Sequence, residues 1–232
     1  MGRGADTRQR ILDTAEALVL ETGFAATSID RVIEGAGITK GAFFYHFDSK
    51  AELARALVER YAQRDSELLE TTKTRAEKLA REPLAQFLVF LGLLEEHAEA
   101  LPGPNPGCLF ASYVYEAQLF DAGTKEIIHA QFILWRRTLR EWLDRIALKH
   151  PPRRGVDLDE VADLLSTVFE GGLVLAKSLR DPRLIARHLA HYRNYVELLF
   201  APAPEAARRA DTEQPVAAEG TAAADPASSA RR

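Results

Sequence analysis

The sequence predicts an all-α protein, and three observations predict it. Apolar residues recur three and four positions apart in run after run up to Leu199. A Ser, Thr, Asp or Pro stands at the head of most of these runs, and Gly or Pro follows the end. No stretch sustains the apolar–polar alternation of a half-buried strand, and there is no internal repeat.

Taken in order, Asp6 is placed to cap a first helix in which Ile11, Ala15, Leu18 and Val19 share a face and Gly23 ends the run. Ser28 caps a short second helix carrying Ile29, Val32 and Ile33, which closes at Gly35-Ala36-Gly37. Thr39 caps a third over 40–47. Ser49-Lys50-Ala51-Glu52 has capping-box spacing and opens a fourth, continued by Leu53, Leu57, Tyr61, Leu68 and Leu69. Pro83 suits the first turn of a helix reaching residue 100, and the Pro/Gly-rich segment 101–107 must be a loop. Further helices are predicted over 108–122, 125–149, 158–179 and 182–199, separated by Gly123, Pro151-Pro152 and Asp181-Pro182. From about Ala201 the composition turns to Ala, Pro, Glu, Ser and Arg, which cannot bury enough surface to order itself. The predicted organisation is a three-helix head at 1–53, a helical bundle at 54–200 and a disordered tail at 201–232.

Composition narrows the class. A chain of 232 residues, 47% apolar and 28% charged, can build an ordinary globular core. The longest strong apolar run, Phe87 to Leu94, falls far short of the roughly 18 residues a membrane helix needs, so no membrane partner is expected. Arg3, Asp6, Arg8 and Arg10 with no apolar core are not expected to form a secretory leader. A single cysteine, Cys108, excludes an intrachain disulfide and fits a reducing cytoplasm, the expected location. His97, His129, His150, His188 and His191 show no spacing that joins Cys108 in a metal set. With no phosphate-cradling glycine loop, nucleophile elbow or acid–base pair, neither catalysis nor a cofactor is expected.

Net charge of −4 and a pI near 5.9 argue against an electrostatic nucleic-acid binder. The first fifty residues are not basic either. Arg3, Arg8, Arg10, Arg31, Lys40 and Lys50 face Asp6, Asp13, Glu16, Glu21, Asp30, Glu34 and Asp48. Placement of a few groups must outweigh the total. Two short helices flank a glycine-bearing turn, with Val32, Ile33, Ile38 and Phe43 positioned to pack them together, which is helix-turn-helix layout. The second helix would enter the major groove, about 12 Å wide. Gly41 and Ala42 let its backbone approach DNA, and its N-terminal N–H groups favour phosphate.

The segments Ile11-Leu-Asp-Thr-Ala-Glu-Ala-Leu, Gly23-Phe, Thr27-Ser-Ile, Ala36-Gly-Ile-Thr-Lys-Gly and Tyr45-His-Phe-Asp-Ser-Lys-Ala-Glu-Leu53 together resemble the TetR family of bacterial regulators. The resemblance covers residues 7–55 almost without a gap. It implies that Thr39, Lys40, Ala42 and Tyr45 face base edges and that Thr27, His46 and Lys50 hold phosphates, with Gly41 at the close approach. Phe44 stands where the family often has tyrosine; it has no donor for a phosphate, so it packs or meets a thymine methyl. The resemblance further implies a DNA-binding transcriptional regulator. Such a protein is a homodimeric repressor, released from a palindromic double-stranded DNA operator by a small-molecule or electrophile effector. Within regulation the alternative is an activator or a global DNA-binding protein; the alternative of another class is an α-helical enzyme or ligand carrier with an incidental helix-turn-helix.

Leu164, Leu165, Val168, Phe169, Leu173 and Leu175, then Leu184, Leu189, Tyr192, Tyr195, Val196 and Leu199, form apolar faces that would pair two subunits or fill one protomer's core. Phe87, Phe90, Phe110, Tyr113, Phe132 and Trp135 either line an apolar ligand cavity or are plain core. Cys108, Phe110, Tyr113, Phe132 and Trp135 are the candidate ligand contacts. Cys108 follows Pro106-Gly107 at a helix start, where a thiol can be acidified into a sensor; the alternative is a small buried hydrophobe.

Overall fold

The computed structural model describes residues 3–101 and 107–201. The disordered-tail expectation for 201–232 and most of the predicted loop at 101–107 lie outside the described residues. Within them the architecture is all-helical: α1 (Arg3–Thr22), α2 (Ile29–Ala36), α3 (Lys40–His46), α4 (Lys50–Leu79), α5 (Pro83–Glu99), α6 (Leu109–Tyr115), α7 (Ala122–Lys149), α8 (Leu158–Leu179) and α9 (Leu184–Phe200). None of these helices is long and apolar enough to cross a membrane.

Local chemistry sets the boundaries. Ser28, Thr39 and Ser49 each accept a hydrogen bond from the backbone N–H three residues on, capping α2, α3 and α4 as predicted. The Glu52 carboxylate reaches back to the N–H of Asp48 at 2.6 Å. Gly37 ends α2 at φ 61°, a left-handed conformation that a side chain would strain. Three boundaries differ from the sequence reading by three residues or more. α1 begins at Arg3, so Asp6 is an acid within its first turn rather than its cap. The helix predicted over 108–122 stops at Tyr115 and is followed by a 3-10 turn, Ala117–Leu119, because the backbone of Glu116 leaves the helical region. The next helix starts at Ala122, where the Asp121 carboxylate accepts from Thr124 N at 2.7 Å and places Gly123 inside the first turn.

The head packs α1 against α2, α3 and α4 through Ile11, Leu12, Ala15, Val19, Val32, Phe43, Phe47 and Leu57, all at most 1% exposed. α4 then carries the chain onward into the body, and residue 53 lies within it. In the body α5 packs on α9 and α4, while α8 packs on α7 and α9. The Trp142 ring, fully buried, sits edge-on to Phe87 at 5.5 Å and tilted against Phe90 at 5.1 Å. Truncating such a ring typically costs about 3–5 kcal/mol. Phe87 and Phe90 are therefore core, not cavity wall.

The apolar faces of α8 and α9 divide between two jobs. Leu165, Leu173, Leu189, Tyr192, Val196 and Leu199 are buried inside the protomer, and the Tyr192 hydroxyl donates to Val161 O at 2.8 Å. A Cβ on Gly172 would meet Ile185 Cα at 3.3 Å, so glycine permits the α8–α9 approach. The apolar residues left exposed are Val174, Leu175 and Leu179 on α8 and Tyr195 and Leu198 on α9.

Candidate nucleic-acid interface and effector cavity

The recognition helix α3 is held from behind and bare in front. Phe43 and Phe47 anchor it in the head core, at 0% and 1% exposure. Thr39, Lys40, Gly41, Phe44 and Tyr45 are exposed, and Ala42 and His46 are half-buried. Tyr45 projects furthest, at 82% exposure, with its ring edge-on to His46. A Cβ added to Gly41 would meet nothing within 4 Å, so the N-terminal face of the helix is open to a close approach. Phe44 lies edge-on to Phe43, its centroid 5.3 Å away, and keeps 41% of its surface exposed, which suits contact with a methyl group.

Two expected phosphate holders are occupied within the protein. Thr27 is 2% exposed and its hydroxyl donates to Gly23 O at 2.9 Å, so its hydrogen is committed. A phosphate oxygen accepts and needs that hydrogen. The Lys50 ammonium donates to Phe24 O at 2.7 Å and lies 4.3 Å from the centre of the Phe24 ring. Burial lowers its pKa, and the nearby Glu116 carboxylate opposes that shift. Both residues hold the α1–α2 loop, Thr27 from within and Lys50 from its half-exposed side.

Two of the head's acidic residues, Asp13 and Glu16, have arginine partners. Arg60 of α4 binds Asp13 at 2.7 Å and Glu16 at 2.5 Å, and Arg64 binds Glu16 at 2.6 Å. These carboxylates are neutralised against α4 rather than displayed with α3.

The body holds the same α1–α2 loop. Glu116, just past α6, accepts from the N–H of Phe24 at 2.7 Å and of Ala25 at 3.3 Å. Phe24 packs its ring on Phe120 and Tyr113, and Lys177 of α8 donates to Leu20 O at 3.2 Å. Tyr113 is stacked on Phe120 at 4.1 Å, is 1% exposed, and donates to Ala54 O at 3.0 Å. It therefore belongs to this junction and does not line the cavity, contrary to expectation.

A cavity of about 480 Å³ opens beside the junction, within the usual range for small-molecule sites. Cys108, Phe110, Phe132 and Trp135 line it, as the sequence suggested. Sequence reading missed Tyr61, Asp65, Gln131, Phe169 and Glu170, which also line it. Asp65 accepts from Gln131 Nε2 at 2.7 Å and Trp135 Nε1 at 2.6 Å. The available signal was spacing: Tyr61 and Asp65 lie one helical turn apart, so the acid shares the apolar face. Burial raises the carboxyl groups of both Asp65 and Glu170. Of the two readings of Cys108, the structure favours the small buried hydrophobe. The residue is 8% exposed, and its thiol is pushed up to about 12, by burial first and then by the Glu170 charge. The place at the start of α6 does not overcome that. Among the described residues no three His, Cys, Asp or Glu side chains converge as a metal site.

Comparison with known proteins agrees with this layout. Residues 11–57 match the model of "Bacterial regulatory proteins, tetR family". Over 54 residues the chain is 41% identical to the HTH-type transcriptional regulator TtgR of Pseudomonas putida, covering 23% of this chain and 26% of that protein. Over 70 residues it is 37% identical to the HTH-type transcriptional repressor NemR of Escherichia coli, covering 28% and 35%. These alignments thus span about a quarter to a third of the relatives' length. A TetR transcriptional regulator from Chloroflexus aurantiacus superposes with a TM-score of 0.67 at 26% identity, over 84% of this chain and 96% of that one. The head thus matches the tetR family of bacterial regulatory proteins over residues 11–57, and the chain shares the fold of a solved TetR transcriptional regulator.

Proposed function

We propose that the chain is a homodimeric transcriptional repressor acting in the cytoplasm, which binds a palindromic DNA operator through α3 and leaves it when a small molecule fills the cavity. The observation that carries this reading is the exposed face of α3, with Thr39, Lys40, Gly41 and Tyr45 presented together on a helix anchored by Phe43 and Phe47. Base-edge contacts from such a helix supply specificity, and the surrounding phosphate contacts supply affinity. Val174, Leu175, Leu179, Tyr195 and Leu198 are the apolar residues available to pair two copies, as a twofold operator requires.

Coupling follows from connectivity. Phe110 lines the cavity and Glu116, six residues on and just past α6, grips the α1–α2 loop. A ligand that shifts α6 disturbs the loop on which the head rests. The effector can move the equilibrium only by its differential affinity for the DNA-bound and free shapes.

The test is fluorescence anisotropy with duplex DNA from upstream of the protein's own gene, against a scrambled duplex. Specific binding at least about a hundredfold tighter than scrambled supports a repressor. Equal weak binding to both would leave the helix-turn-helix incidental and return an enzyme or carrier to consideration. Sedimentation of the free protein reads the dimer directly.

A further inference from the structure

We propose that the cavity is built for a lipophilic organic cation, an amine, amidinium or quaternary ammonium, whose apolar body lies on the aromatic walls and whose charge is met by Asp65 and Glu170. The inference rests on the effector reading above and names the chemical class of the effector.

Asp65 enters the cavity from α4 and Glu170 from α8. The donors to Asp65, Gln131 and Trp135, are neutral and both reach the same oxygen, Oδ2. The Cys108 thiol, also neutral, is the hydrogen-bond partner of Glu170. Among the described residues neither carboxylate has a lysine, arginine or histidine partner. Arg64, which lines the same cavity, is engaged by Glu16 at 2.6 Å. The geometry of Asp65 is fixed in advance: Gln131 is itself held, its Oε1 accepting from Ser66 Oγ at 3.1 Å.

Two carboxylates withdrawn from water without a counter-ion destabilise the empty protein, and each raises the other's cost of ionising. A bound cation supplies the missing charge, and the Phe132 and Trp135 rings of the lining add cation–π attraction, the Tyr61 ring already carrying the Arg64 guanidinium 5.5 Å from its centre. A neutral aromatic molecule would fill the volume but leave the carboxylates unmatched. An anion would add a third negative charge at close quarters.

The probes are tetraphenylphosphonium and tetraphenylborate, ions of nearly the same shape and opposite charge, with neutral N-phenyl-1-naphthylamine as a measure of cavity filling. Binding to the full chain is followed by calorimetry and by tryptophan fluorescence. Tetraphenylphosphonium is expected to bind at least about tenfold tighter than tetraphenylborate. The Asp65→Asn/Glu170→Gln double variant should lose about tenfold or more in phosphonium affinity while keeping its affinity for the neutral probe, which also reports that it is folded. Equal binding of the two ions, or phosphonium binding unaffected by the double variant, overturns the cation assignment and leaves the effector reading standing if the neutral probe still binds. If the neutral probe and both ions fail to bind, the cavity is not a ligand site and both readings fall.

Discussion

Alkylation of Cys108 by iodoacetamide probes the chemistry of the cavity wall. Burial and then the Glu170 charge push the thiol up to about 12, from the ordinary value of 9.0. At pH 7 that leaves about a thousandfold less thiolate, and the thiolate is the reacting species. Alkylation of the native protein, followed by intact-mass spectrometry, should therefore run on the order of a thousandfold slower than that of the urea-unfolded chain. Glu170→Gln removes one of the two main causes, the negative charge beside the sulfur, and should recover part of the rate while burial withholds the rest. Operator release by N-ethylmaleimide should be equally slow for wild type and for Cys108→Ser. Alkylation of native wild type within about tenfold of the unfolded chain would refute the reasoning. So would rapid electrophile release that the serine variant abolishes, and either result would return Cys108 to the role of sensor.

Lys40→Ala should flatten the dependence of log K on log salt by about one unit, because Lys40 is exposed on α3. Lys50→Ala should leave that slope unchanged and cost about 1–2 kcal/mol in thermal unfolding through its lost charge-assisted bond to Phe24 O; a slope change equal to that of Lys40→Ala would place Lys50 on phosphate after all. Tyr45→Ala should weaken specific operator binding by about 1–3 kcal/mol with Tm unchanged, since the side chain is 82% exposed; a matching fall in Tm would make it structural. Glu170→Gln should raise Tm at pH 7 and not at pH 4. A carboxyl whose folded pKa is raised binds its proton more tightly in the folded state, so stability falls as pH climbs from the unfolded value to the raised one. Groups facing Glu170 across the cavity, among them Cys108 and Asp65, are constant in this comparison, and a Tm gain of equal size at pH 4 would assign the effect to packing instead.

Much of the head was legible because its information is local. Ser28, Thr39 and Ser49 cap within three residues of themselves, and a periodic apolar face needs only its own helix to be recognised. The order of these elements sufficed to identify the helix-turn-helix and to nominate Tyr45 and Lys40, both of which the structure leaves exposed. The aromatic cavity was half legible. Phe110, Phe132 and Trp135 line it, whereas Phe87, Phe90 and Tyr113 are buried elsewhere, since helical spacing marks an inward face without saying what it meets.

The sequence by itself determined the all-α class, the capped boundaries of α2 to α4 and the family of the head. What only the tertiary structure decided are relations between groups distant in the chain. Asp13 and Glu16 of the head are paired because Arg60 and Arg64, more than forty residues on, lie beside them. Lys50, half-buried, turns back onto the α1–α2 loop because Phe24 O and its ring lie beside it. Cys108 is quenched rather than activated because burial and a carboxylate from α8 outweigh its place at a helix start. Electrostatic energies depend on through-space distance and on access to water, and neither quantity is a function of position along the chain.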